Sequence, residues 1–293
     1  MDKFLQLIVS GITSGAVYAV LGLGYVMIYR TSHIVNLAQG TFFTLGLFFT
    51  FSFLTEMSLP FPLAIVAGIL SVAVLAVCVY LVVLKRLMKQ SFVNVILATV
   101  AFSLLFENIA QRKWGGYGLS LPAFPGGDSM LRLGNVSLSV QSLWVLGFTA
   151  LIFVALHLLS SYTRVGRQMT ATATNPKAAR LCGISTDRMI MLAFAISAAA
   201  GALAGIVVSP LISIGYMSDN GFGMIGFVAA IVGGWGSNLG AVIGGLTIGI
   251  VESLASGWLP AGYQDVIVYA ILIILLYFRP QGILGTMVTE GEM

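Results

Sequence analysis

The stretch "FLQLIVSGITSGAVYAVLGLGYVMIY", residues 4–29, contains no charged residue. The hydrocarbon core of a bilayer is crossed by about 20 consecutive apolar residues in helical form, so the stretch reads as a membrane span. It is longer than the apolar region of a secretory signal and has no clean basic segment ahead of it, which argues against a cleavable leader. Working outward, comparable runs occupy 34–55, 61–84, 92–110, 141–159, 189–213, 222–236, 238–258 and 264–279. The expected fold is an all-α polytopic integral membrane protein of about nine transmembrane helices. The runs are too continuously apolar for transmembrane strands, which alternate. The whole chain agrees: 58% of residues are hydrophobic and 8% charged, against about 25% charged in soluble domains, and mean hydropathy is +1.01. The Gly-rich runs 34–55 and 222–258 are where a helix would break or re-enter.

Orientation follows from Lys and Arg in short loops. Arg30, Lys85, Arg86, Lys89, Arg164, Arg167, Lys177, Arg180, Arg188 and Arg279 fall on one side; Lys3, Arg112, Lys113 and Arg132 fall on the other. The first side is therefore expected to be cytoplasmic, with the N-terminus outside and the C-terminus inside. Asp2, Glu56, Asp128, Asp219 and Asp265 fall outside. The chain reads as one transmembrane domain, 1–293, with a cytoplasmic loop at 160–188 and an outer loop at 111–140 whose Gly and Pro content predicts turns and irregular chain. The formal net charge of +4 is accounted for by basic cytoplasmic loops and calls for no nucleic acid. Two distant cysteines, Cys78 and Cys182, make neither a disulfide framework nor a metal site.

No catalytic constellation is present. His33 and His157 are isolated, and HExxH, GxSxG and Walker A patterns are missing, so an enzyme is not expected and the chain has no P-loop with which to hydrolyse ATP. The acidic residues near the spans are Glu107, Glu252 and Asp265. An ion-coupled carrier usually needs an intramembrane carboxylate. Glu107 is followed closely by Asn108, Gln111, Arg112 and Lys113, which places it near the outer interface.

Two Gly-rich runs, "AISAAAGALAGIVVSP" (195–210) and 222–258, carry small residues three and four apart, such as Gly201 and Gly205, Gly236 and Gly240, and Gly240 and Gly244. That spacing lets helix backbones approach closely in lipid. Within "GGWGSNLGAVIGG" (233–245), Ser237 and Asn238 follow Trp235 between glycines, and polar groups at membrane depth need internal partners. They fit either a packed break or one facing a cavity. In "IVNLAQGTFFTLG" (34–46), Asn36 and Gln39 are three residues apart and are expected on one helix face, with Thr41 nearby. These groups either bond to neighbouring helices or line a polar pathway.

The remaining polar stretch is "TNPKAARLCGISTDR" (174–188). Asn175 suits an N-cap, Pro176 the first helical position and Gly183 the position just past the end. Ala178, Leu181 and Cys182 share one face, and Lys177 and Arg180 another. So short a helix is not stable alone, so a cytoplasmic partner is expected to dock on it; an amphipathic helix lying on anionic lipid is the other reading.

"KAARLCG" (177–183) resembles the E-A-A-x-x-x-G loop through which ABC-importer permeases contact their ATPases, with Lys177 in place of the usual glutamate. More of the chain resembles the branched-chain amino acid permease family, LivH-type subunit. "SGITSGAVYAVLGLGYVMIY" and "IVNLAQGTFFTLG" resemble its opening spans, "TRVGRQMTATATNPKAARLCGI" its coupling loop, and "AAIVGGWGSNLGAVIGGLTIGIVE" with "YFRPQGILG" its C-terminal third. Arg30 and Thr41 depart from the family's usual residues. The resemblance implies a second, LivM-like permease subunit, two cytoplasmic ATPases that hydrolyse the ATP, a periplasmic binding protein, and a place in the bacterial inner membrane. No cofactor is expected on this chain. The coupling set is then Asn175 to Arg180 (Asn175, Pro176, Lys177, Ala178, Ala179, Arg180) and Gly183, flanked by Arg164 and Arg167. Relatives for urea, short amides or aromatic acids share the architecture. A channel of the aquaporin type would need two NPA boxes, where this chain has one "NPK".

Overall fold

A computed structural model describes residues 2–88, 90–133, 136–260 and 262–285. Lys89, one of the basic loop residues above, lies outside the described residues, as do the side chains of Asp2, Arg132 and Asp219. The described helices are α1 (Asp2–Ser32), α2 (Gln39–Thr55), α3 (Phe61–Val79), α4 (Lys85–Leu87), α5 (Phe92–Trp114), α6 (Val140–Tyr162), α7 (Arg164–Thr174), α8 (Pro176–Leu181), α9 (Thr186–Val208), α10 (Ser218–Gly233), α11 (Asn238–Trp258) and α12 (Tyr263–Phe278). A π-helical turn, Tyr80–Leu84, joins α3 to α4. Among the described residues, six continuous helical segments are long and apolar enough to cross a membrane: α1, α3 with α4, α5, α6, α9 and α11. The other apolar runs form α2 of 17 residues and α10 and α12 of 16 each, short of the roughly 20 that span a bilayer without thinning it.

Burial sorts these helices. From Ala16 to Ile28, α1 is almost wholly inaccessible, with Ala16, Ala19, Leu21, Val26 and Ile28 at 0% exposure. It is wrapped by α6, α9, α10 and α11. By contrast, α3, α5, α6 and α12 present Leu63, Leu70, Val74, Leu97, Leu104, Leu151, Ile273 and Ile274 outward. An apolar side chain gains nothing by leaving lipid for a protein interior. The buried helices are accordingly those with small residues, and the exposed faces are those with leucine, valine and isoleucine.

Close approach depends on glycine. Along the α1–α11 seam a Cβ on Gly11 would lie 2.7 Å from the Ile250 Cα, and one on Gly15 would lie 2.8 Å from the Gly245 carbonyl oxygen. Gly201 sits against the Gln39 side chain and Gly205 against the Phe43 backbone, while Gly240 and Gly244 meet α10. Gly236 does not belong to that packing set. A Cβ there would meet nothing within 4 Å, and its φ of 90° makes it a turn residue. With Gly234 (φ 117°) it breaks the chain between α10 and α11, where the Ser237 hydroxyl accepts from the Gly240 N–H at 3.0 Å to cap α11.

Two further expectations need correction. The run 34–55 is not helical from its start: α2 begins at Gln39, so Asn36 and Gln39 do not share a helix face. The reason is local. The Asn36 Oδ1 accepts from the Ala38 N–H at 3.3 Å, a side-chain turn that competes with helix, after His33 has already ended α1 at φ 54°. The outer loop 111–140 is not all irregular. Past the last turn of α5, it folds into an antiparallel hairpin, β1 (Met130–Leu133) and β2 (Val136–Ser139), in register Met130 with Ser139 and Leu131 with Leu138. The alternating VSLS and MLRL pattern, five residues from Pro125, is the signal that the turn-rich composition masked. Glu107, two turns before the end of α5 at Trp114, is turned into the bundle at 8% exposure.

Candidate functional site

The basic loops collect at one end of the bundle. The loop 160–188 forms two helices there. Thr163 caps α7, its hydroxyl accepting from the Gly166 N–H at 3.0 Å, and Met169, Gly166 and Thr172 face inward. Met169 packs with Met27, Met189 and Ala193, which fixes α7 to α1 and α9. Arg164 and Arg167 lie on its exposed side.

α8 is capped at both ends. The Asn175 Oδ1 accepts from the Lys177 and Ala178 N–H groups at 3.1 and 3.0 Å, and Pro176 takes the first helical position. At the other end the Ile184 N–H bonds to the Ala179 carbonyl and the Gly183 N–H to that of Arg180, both at 3.0 Å, with Gly183 at φ 80°. This is the reciprocal bonding of a Schellman motif, which needs a residue comfortable in the left-handed region at that position. Only Ala179 is turned inward, at 4% exposure. Lys177, Ala178, Leu181 and Cys182 are exposed, Leu181 at 90%. Arg180 is tied back: its Nε donates to the Thr186 Oγ1 at 2.8 Å and its guanidinium lies 4.0 Å from Asp187, which also meets Lys85 at 2.9 Å. These half-exposed ion pairs contribute at most about 1 kcal/mol, so the caps set the helix. Asn175→Ala is expected to cost about 1 kcal/mol and to raise amide hydrogen exchange at Lys177 and Ala178 without changing exchange in α9.

Beside α7 is a cavity of about 460 Å³ lined by Arg30, His33, His157, Trp235, Ser237 and Asn238, among others. The two histidines that look isolated in the sequence thus meet at one place. Tyr29 stacks edge-on against both His33 and Trp235 at ring separations of 5.2 and 5.0 Å. Asn238 is held by a bond from its Nδ2 to the Ser160 Oγ at 3.0 Å. Sequence spacing gave no sign of this grouping, because its members come from five separate segments.

The amides of the second span sit deeper. Gln39 is fully buried. Its Nε2 donates to the Ser197 carbonyl at 3.0 Å, and its Oε1 accepts from the Ser197 Oγ at 2.8 Å. The Ser197 Oγ is also 2.9 Å from the Gly24 carbonyl, joining α1, α2 and α9. Thr41 donates to the Ser103 Oγ of α5 at 2.9 Å. The Asn36 Nδ2 is buried with no hydrogen-bond partner.

Comparison with known proteins bears on this arrangement. A family model described as branched-chain amino acid transport system, permease component, matches residues 7–276. The chain is 32% identical over 302 residues to the high-affinity branched-chain amino acid transport system permease protein LivH of Escherichia coli K12, covering 96% of each chain. It is 28% identical over 300 residues to BraD of Pseudomonas aeruginosa, the corresponding high-affinity permease protein, with 96% of each covered. A xylose/arabinose import permease of Sulfolobus acidocaldarius is 34% identical over 165 residues, 53% of this chain and 44% of that one. No solved structure matches.

Proposed function

The chain belongs to the branched-chain amino acid transport permease family, and on that premise we propose that it is the transmembrane permease subunit of an ATP-driven importer of branched-chain amino acids. The observation that carries the coupling part is α8: a helix of six residues, capped at both ends, anchored by Ala179 and the Arg180 side chain and turning Leu181 outward. A short helix fixed in this way moves as one body and transmits a push from a docked ATPase to α7 and α9.

In this reading the chain crosses the bacterial inner membrane nine times, N-terminus outside and C-terminus in the cytoplasm, with α2, α10 and α12 completing the count. A LivM-like subunit pairs with it. Two cytoplasmic ATPases hydrolyse the ATP, one of them docking on α8 beside Arg164, Arg167 and Lys177. A periplasmic binding protein delivers the solute to the opposite end. Ser237 and Asn238, at the cavity with Arg30, border the inner end of the pathway; Gln39 and Thr41 clamp α2 to its neighbours, and Asn36 holds the turn that starts it.

The test is a gentle affinity purification of the tagged chain from its native membrane. Recovery of a P-loop ATPase pair together with a second, similar permease is the expected result. A chain recovered alone as an oligomer that conducts solute without ATP would remove the importer reading.

A further inference from the structure

At the end of the bundle opposite α8 lies a second cavity, of about 510 Å³, within the range of small-molecule sites. One wall is α1, which contributes Gln6, Ser10, Thr13, Ser14 and Tyr18. Those positions follow the three- and four-residue spacing of one helix face, so they form a continuous polar stripe. At about 1.5 Å per residue the stripe runs roughly 18 Å along α1. The hairpin roofs its outer end and is pinned there. The Gln6 Nε2 donates to the Ser137 carbonyl at 2.9 Å, and the Ser137 N–H donates to the Gln6 Oε1 at 3.0 Å. The facing wall is apolar, with Val208, Leu211, Ile212 and Phe222.

Glu252 of α11 also lines this cavity. It lies one turn beyond Gly249, a member of the glycine seam between α1 and α11. A carboxylate at this depth is costly unless it is paired or faces water. The Tyr18 hydroxyl lies beside the Glu252 carboxyl, close enough to interact with it, and Oε2 is buried with no hydrogen-bond partner. Among the described residues the ion pairs are Lys85–Asp187, Lys113–Glu56 and Arg180–Asp187, so no cation neutralises Glu252. Lys3 is engaged elsewhere, with the Gly257 carbonyl at 2.8 Å and the Trp258 ring at 5.7 Å.

We propose that this cavity is a transit site for the free amino acid, with Glu252 as the counter-ion of its ammonium group, the hydroxyls of α1 facing its carboxylate and the α9–α10 wall holding its aliphatic side chain. The inference rests on the transport reading above and deepens it. The division of the cavity carries the choice of ligand: one charged acceptor, one hydroxyl stripe and one apolar wall suit an aliphatic zwitterion. A sugar would leave the apolar wall against hydroxyl groups, and an anion would meet an unneutralised carboxylate.

The experiment uses the complete transporter, with permease pair, ATPases and binding protein, reconstituted in proteoliposomes and supplied with labelled leucine. Glu252→Gln keeps the shape and removes the charge. The expected result is a drop in leucine uptake of about tenfold or more with assembly intact and uptake largely restored in Glu252→Asp. In a second arm Ser10→Cys, with Cys78 and Cys182 replaced by serine, reacts with a water-soluble thiol reagent; leucine slows that reaction, and the slowing disappears when Glu252→Gln is added. Uptake by Glu252→Gln equal to the wild type, or labelling indifferent to leucine, overturns the site. Wild-type uptake is the separate readout of the transport reading: if the unaltered complex moves no leucine, that reading falls first and takes the occupant with it.

Discussion

Leu181→Asp is expected to strip the ATPases from the purified permease complex while leaving the permease itself folded. Leu181 is 90% exposed and ends a helix that packs inward through Ala179 and is tied to Thr186 and Asp187 through Arg180. Changes at so exposed a position usually alter stability by no more than about 0.5 kcal/mol, so the permease should melt as the wild type does. In the proposed assembly the docked ATPase buries the same side chain. Burying a leucine contributes about 1.5–3 kcal/mol, roughly a 10- to 150-fold difference in affinity. A carboxylate placed in the same pocket adds a desolvation cost of several kcal/mol. The measurement is ATPase stoichiometry after affinity purification, alongside a thermal melt of the permease. ATPase recovered at the wild-type ratio would show that α8 is not the docking helix. The effect should exceed that of Lys177→Ala, because a solvent-exposed charge pair contributes at most about 1 kcal/mol.

The elements that were legible in the sequence are those whose signal is local. Each apolar run contains a helix because the bilayer requires every backbone group to be bonded within its own segment. The α8 caps could be read from Asn175, Pro176 and Gly183 because capping depends on bonds two to five residues away. The break at 234–237 was marked by glycines around two small polar residues. The start of α2 was misplaced for the opposite reason. Asn36 reads as one more residue of a run, and only its bond back to Ala38 shows that it closes a turn instead. The two cavities were not legible. His33, His157 and Trp235 converge through tertiary packing, and Ser10, Thr13 and Ser14 pass for ordinary residues of an apolar span until the hairpin and Glu252 are placed opposite them. Glu252 stood in the sequence as a lone carboxylate. Its significance lies in what faces it across α1.

Gly249→Val should abolish the folded state, and it tests whether the α1–α11 seam is the frame on which both cavities are hung. A Cβ on Gly249 would lie 2.5 Å from the Gly11 carbonyl oxygen and press on the Gly15 backbone; one on Gly245 would lie 2.5 Å from the Ala19 nitrogen. In both cases the obstacle is main chain, which cannot swing aside as a side-chain end can. Overpacking ordinarily costs about 1–3 kcal/mol because neighbours shift; with backbone on both sides the helices must separate, and the cost is expected at or above about 3 kcal/mol. Lipid supplies no hydrophobic force to push them back, since association in a bilayer depends on this same close packing. The check is the yield of monodisperse protein in detergent and its melting temperature. Gly147→Val in α6 is the control, because a Cβ there meets nothing within 4 Å and valine is the better helix former by several tenths of a kcal/mol. It should be neutral or slightly stabilising. If Gly249→Val were tolerated as well as Gly147→Val, the seam would be free to open, and the Glu252 cavity would have no fixed geometry to work from.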